Sequence, residues 1–277
     1  MRTHTITGRM TAGVLAVGVI AGLVVTVPAA AFAAARPRTA TSTTVGSTTS
    51  AAAGSTNGGP AGAATATIPS RPACTPSVFS QAQQRVEANL AARVTQLNAL
   101  QSAVNATSNQ LTSGDRQTLQ NDITNVELPG IQALQPQAQQ ATTCAQLFKV
   151  AHPMVFNFRV YVVMTPQTHL TIVADDETYV EGQLANLEPV IAQAIQNAQA
   201  HGKDVTAAQA AFTDLKSQVS AAQSATAGQA AQVLAQTPAG YPGNWPVFLT
   251  ARADLVSAHT DLHSAYADAQ KIRVDLT

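Results

Sequence analysis

Aromatic residues are scarce in this chain of 277 residues, which has seven Phe, four Tyr and one Trp. Charged residues are scarce too, at 11%. So few aromatics argue against an aromatic-rich β-sandwich, and so little charge argues against a chain kept unfolded by self-repulsion. No HExxH, GxSxG or phosphate-cradling glycine loop occurs, so none of the spacings that demand a particular chemistry is present. Cysteine is limited to Cys74 and Cys144, and neither has a second Cys or a His at metal-ligand spacing. Ala and Gln fill the space left by these absences. With straight-chain apolar residues between them they favour long helices. The expected fold class is all-α, an elongated antiparallel bundle of long helices with coiled-coil-like seams, preceded by a disordered arm.

Residues 1–33 have the three parts of an export signal: Arg2 and Arg9, an apolar run from Val14 to Val27, and the small-x-small site Ala31-Phe32-Ala33. Cleavage after Ala33 is expected. The rival is an uncleaved anchor, because Met10 to Ala35 gives 26 uncharged residues, enough to span a bilayer. No twin Arg, no lipid-attachment Cys near the site and no hydrophobic C-terminal tail is present, so the mature chain is expected to be released or held non-covalently, without membrane association. Residues 34–73 hold Thr, Ser, Ala and Gly with Arg36, Arg38 and Arg71, and cannot bury enough apolar surface to order themselves. All 26 Gln lie after position 73, so the helical domain is placed at 74–277. That domain carries 10 Lys and Arg against 15 Asp and Glu, a net of −5, whereas the arm carries +3. An acidic, aromatic-poor domain is a poor nucleic-acid partner, since affinity there rests on neutralising phosphates. In an exported chain Cys74 and Cys144 are expected to pair as one disulfide.

The longest unbroken periodicity is C-terminal. Phe248, Ala251, Leu255, Ala258, Leu262, Ala265, Ala269, Ile272 and Leu276 alternate spacings of three and four, which makes one apolar stripe on a helix opened by Asn244 and Trp245-Pro246. A second seam runs through Val173, Val180, Leu184, Leu187, Ile191, Ala194 and Ala198, from Thr165-Pro166 to Gly202. The next helix opens on a capping-box pattern, Thr206 with Gln209, and continues to Pro238. Ser77 to Leu111 reads as a helix, and about Asp115 to Leu134 as another that Pro129-Gly130 kinks or breaks. Cys144 to Met164 mixes two periods. A helix kinked at Pro153 is expected there, with a short hairpin turning at Thr165-Pro166 as the alternative. Short turns make consecutive helices antiparallel, and a monomer is expected.

The turn segments Lys203-Asp204-Val205-Thr206-Ala207-Ala208-Gln209 and Thr237-Pro238-Ala239-Gly240-Tyr241-Pro242-Gly243-Asn244 resemble those of uncharacterised exported α-helical proteins of actinobacteria. The resemblance covers roughly residues 74–277 and implies a cell-envelope or extracellular setting. It transfers no activity, cofactor or site residue.

Several groups could still carry chemistry. Asp175, Asp176, Glu177 and Glu181 crowd one helix in a stretch, Val160 to Gly202, that has no Lys or Arg. Helical carboxylates at these spacings fan outward, so a solvated acidic face or partner surface is expected rather than a cation site. Glu177 falls four after Val173 on the seam, which turns it toward a neighbouring helix and a base such as Arg252 or Arg273. His259 and His263 share a helix face without an evident third ligand, so no metal is expected. Trp245 and Tyr241, in a loop between long helices, could seat a partner, and the competing role for Trp245 is to cap the end of the core. No catalytic residue and no cofactor is expected. The functional expectation is a non-enzymatic secreted protein acting as a structural or interaction module on an envelope or extracellular component. The alternative is a carrier of a lipid-like apolar molecule, its cavity lined by Phe148 and Val155 to Met164.

Overall fold

The computed structural model of the chain describes residues 74–277, so the expected export signal and the expected arm lie outside the described residues. Within them the chain is helical and contains no strand. The elements are α1 (Pro76–Asn105), α2 (Ser113–Asn121), α3 (Leu128–Gln140), α4 (Cys144–Phe156), α5 (Thr165–Ala200), α6 (Thr206–Thr226), α7 (Gln229–Leu234) and α8 (Trp245–Leu276). Two π-helical turns, Asp122–Glu127 and Val160–Met164, feed directly into α3 and α5. At 1.5 Å per residue the 36 residues of α5 reach about 54 Å, so this helix runs through two different packing neighbourhoods.

On one side, α1, α3 and α4 close over a core of Leu90, Leu97, Leu100, Ile123, Ile131 and Met154. On the other, the second half of α5 joins α6 and α8 around Leu184, Ile191, Leu215 and Leu262. Between them the first half of α5 packs with α7 and the start of α8 around Leu170, Val173, Val233 and Phe248. The α6–α8 interface is the most extensive. Ala208, Ala211 and Ala222 face Ala258 and Ala265 there, all buried, and such small side chains let two backbones approach closely. The C-terminal stripe is buried from Phe248 through Ile272, with Leu276 packed at its edge, as its spacing predicts.

Helix boundaries depart from expectation where local chemistry offers the backbone another partner. α1 stops at Asn105 rather than near Leu111. Asn109 Nδ2 donates to Ala103 O at 2.7 Å, and the Arg116 guanidinium donates to Val104 O and to Asn109 Oδ1, so its last carbonyls are capped by side chains. The interruption expected at Pro129 takes the form of a π-helical turn just before it, Asp122–Glu127, which dispenses with the hydrogen bond that the proline cannot make while helical backbone runs on into α3. Gly130 matters for another reason: a Cβ here would fall inside the Phe158 ring, which lies against the helix backbone.

The 144–164 stretch is helical, but its interruption is not at Pro153. The break is at Arg159, whose φ of 44° is left-handed, and helical backbone resumes at Val160. Thr165 begins α5 directly from the π-helical turn rather than capping a free helix end, and its hydroxyl donates back to Val160 O at 3.0 Å. The expected Thr206–Gln209 capping box is replaced by Asp204, whose Oδ1 accepts from Thr206 N at 2.9 Å. Left-handed Gly228 then divides the expected single helix into α6 and α7. At the start of α8, Asn244 holds the cap position, but its amide is spent on Thr237 O at 2.9 Å.

Candidate functional site

From Thr165 to Glu177 no residue of α5 is exposed. Residues 163–168 and 173–177 are buried without interruption, a pattern no one-faced helix can give. Packing from α1, the 106–112 loop, α7 and α8 surrounds this stretch, so the carboxylates of Asp175, Asp176 and Glu177 are buried, and Glu181, one turn on, is buried on the side of α5 that faces α6. The solvated acidic face expected for Asp175, Asp176 and Glu181 is thus corrected, while Glu177 turns inward as expected: each is buried and each has a specific partner.

Asp176 Oδ1 accepts from Gln110 N at 2.5 Å, and Asp175 Oδ2 accepts from Thr112 N at 2.7 Å. These two amides precede α2 and have no helical carbonyl to bond, so the adjacent carboxylates supply the acceptors. Glu177 Oε1 meets His259 Nδ1 of α8 at 2.8 Å. Its inward direction follows from the seam, but the base is His259 rather than Arg252 or Arg273. One turn on, Glu181 Oε1 accepts from Thr226 Oγ1 at the end of α6 at 2.8 Å. One helix therefore holds the α1–α2 loop, α8 and α6 through four successive acids. Gln167 extends the pattern to α7: its Nε2 donates to Leu234 O at 2.9 Å and Gln236 O at 3.0 Å, satisfying carbonyls that end that helix.

Burial raises the pKa of all four acids. For Asp175 it prevails over the bond from Thr112 N and is reinforced by Asp115 and Asp176, lifting the group to about 6. For Asp176 it prevails over the Gln110 bond, for Glu177 over the His259 bond, and for Glu181 over the Thr226 bond. A separate buried acid, Glu127, rises to about 8, chiefly by burial and secondarily through Asp122. Its Oε2 has no hydrogen-bond partner.

The remaining sequence-selected residues do not join this row. His259 is partly exposed and His263 exposed, and only His259 reaches an acid of α5. Among the described residues no three His, Cys, Asp or Glu side chains converge as a metal would need. Tyr241, Trp245 and Phe248 form an edge-to-face chain with centroids 6.4 Å apart at each step, which packs Trp245 and Tyr241 against the core around α7. Cys74 and Cys144 are bonded, with Cα atoms 6.3 Å apart. A shallow depression beside them is lined by Pro76, Phe79, Thr142, Thr143 and Ala145, none of which titrates. Of the residues expected to line a carrier cavity, Val160, Val163 and Met164 are packed in the core, while Phe148, Val155 and Phe156 face solvent.

Sequence reasoning missed Gln167 and the partner of Glu177. One signal was available: no charged residue occurs between Arg159 and Asp175, and a helix start that is polar yet uncharged suits burial on every side. No helix among the described residues is long and apolar enough to cross a membrane. No protein-family model, curated protein or solved structure matches the chain.

Proposed function

We propose that the protein is a non-enzymatic, exported helical-bundle module of the cell envelope or extracellular space, working through surface contact, with residues 34–73 as its spacer. The observation that carries this reading is the use made of the acids on α5. The groups best suited to acid–base work or cation binding are engaged in holding the α1–α2 loop, α6 and α8. Groups spent on such bonds are poorly placed to act on a substrate. Export is supported by the tripartite N-terminal pattern and by the Cys74–Cys144 pair, which suits an oxidising compartment. The resemblance to exported actinobacterial helical proteins points the same way. An apolar-ligand carrier draws less support, because its expected lining residues divide between the packed core and the surface.

Fractionation of source cells tests the setting. The protein is expected in the medium or wall fraction with a mature N-terminus at Ala34, and recovery from the cytosol with residues 1–33 intact overturns the reading. Cross-linking in intact envelopes, followed by mass spectrometry, then identifies the contacting component.

A further inference from the structure

Helix α4 turns Leu147, Val150 and Met154 into the core, yet its opposite face is apolar as well. Phe148 is 58% exposed, Phe156 50% and Val155 42%. The His152 ring lies between the two phenylalanines, with centroids 5.9 Å from Phe148 and 4.7 Å from Phe156, so three rings climb the outer face at intervals of four residues. Single exposed hydrophobes are ordinary, but a contiguous ladder on the outer side of a packed helix is not.

The charges carried by this stretch of chain are of one sign. Lys149 is exposed beside Phe148, and the half-buried Arg159 guanidinium lies 4.7 Å from the Tyr241 ring centre and 5.4 Å from that of Phe156. No Asp or Glu occurs between Glu127 and Asp175, in a domain whose net charge is −5. The face is therefore apolar and cationic, while acids predominate in the rest of the domain. Its position along the chain is also fixed. Cys144, the first residue of α4, is bonded to Cys74, so the 73 residues that precede the described domain join it at the foot of this helix.

We propose that the outer face of α4 docks on an anionic lipid surface, with Phe148, Val155 and Phe156 entering the boundary between headgroups and acyl chains and Lys149 and Arg159 lying against anionic headgroups. This deepens the proposed function by naming the envelope component, and it rests on that reading for its cellular setting. It also goes beyond the expectation of a chain without membrane association. Apolar insertion and attraction to anionic lipid reinforce each other in interfacial helices, and this face supplies both. A second copy of the chain fits less well, because a two-fold pairing of this face sets Lys149 and Arg159 against their own counterparts.

The test uses the full chain as recovered from its source, mixed with phosphatidylcholine vesicles with or without phosphatidylglycerol and separated by flotation. The wild type is expected to float with the phosphatidylglycerol vesicles and to be released by salt. Joint Phe148→Ser and Phe156→Ser replacement should lower partitioning by about tenfold, while Val256→Ser, at an exposed position on α8, leaves it unchanged. Lys149→Glu, at an exposed position, repeats the test outside the packed core and should abolish the preference for anionic lipid. The proposal is overturned if the wild type does not float, if the α4 variants float as well as it does, or if they merely convert a dimer to monomer in light scattering. Failure in vesicles leaves the envelope reading standing, because fractionation tests that reading separately.

Discussion

Glu127→Gln should flatten the pH dependence of stability. Glu127 closes the first π-helical turn, is 3% exposed, and has an Oε2 without a partner. Burial first, and the neighbouring Asp122 second, raise its pKa from 4.5 to about 8. The folded chain therefore keeps a proton that the unfolded chain releases near pH 4.5. Stability from this group is fully present below that value and is lost as pH rises toward about 8, above which the slope vanishes. At about 1.4 kcal/mol per pKa unit the loss is roughly 3–5 kcal/mol, a large share of the total stability of an ordinary domain. Glutamine keeps the shape and removes the titration. Its extra N–H bonds need partners, so a constant cost of about 1–3 kcal/mol displaces the whole curve without changing its slope.

Urea unfolding followed by circular dichroism, at several pH values between about 5 and about 8, gives both curves. Burial also raises Asp122, Asp175, Asp176, Glu177 and Glu181, which act in the same direction. His169, lowered by burial, acts in the opposite sense, its contribution being lost as pH falls through its unfolded value of 6.5. Groups distant from Glu127 cancel in the difference between wild type and variant. Parallel curves for the two proteins refute the reasoning.

Gly130→Ala forces the Phe158 ring off the helix, an overpacking cost of about 1–3 kcal/mol that the helix preference of alanine, about 1 kcal/mol, offsets only in part. A lower thermal midpoint is expected, and an unchanged or higher one contradicts the contact. Thiol labelling of the native, unreduced protein should find neither Cys74 nor Cys144. Reducing the bridge, which closes a 70-residue separation, should cost about 4 kcal/mol in chemical denaturation, and no change on reduction counts against its role. Leu262→Asp forfeits a buried leucine, worth about 2–5 kcal/mol as Leu→Ala, and adds desolvation of a charge, so the monomer should lose its helical circular dichroism. If the variant keeps its helicity and thermal midpoint while a dimer falls to monomer in light scattering, the α8 stripe is an intermolecular surface.

The difference between α8 and α5 shows what the sequence made legible. α8 presents one face to its neighbours, so a three-four spacing finds its buried residues from Phe248 to Ile272. The same logic reads Leu184 and Ile191 in the second half of α5 but fails in the first half, where Thr168, Thr171 and Asp176 are as buried as Leu170. Periodicity assumes a solvent side, and a helix surrounded by four other segments has none. The acids compound the error, because Asp and Glu on a helix are ordinarily solvated, and the position of Asp175 and Asp176 is explained only by the amides of Thr112 and Gln110, which have no helical carbonyl to bond. Those amides belong to a loop that periodicity extended as helix, since Leu111 happens to continue the spacing of α1. The π-helical turns were equally hidden: Pro129 announces a disturbance, but not that one wider turn absorbs it.

The central claim is that the acids of α5 are structural latches rather than a site open to ligands. Hydrogen exchange at two amides tests it most directly. Gln110 and Thr112 are themselves exposed, and their N–H groups are held by the carboxylates of Asp176 and Asp175. In the wild type both amides should exchange slowly, and joint Asp175→Ala and Asp176→Ala replacement should release them selectively while amides in the middle of α8 keep their protection. Unchanged protection of Gln110 and Thr112 in that variant, or rapid exchange in the wild type, contradicts the claim and returns the acids of α5 to the surface as groups free to bind.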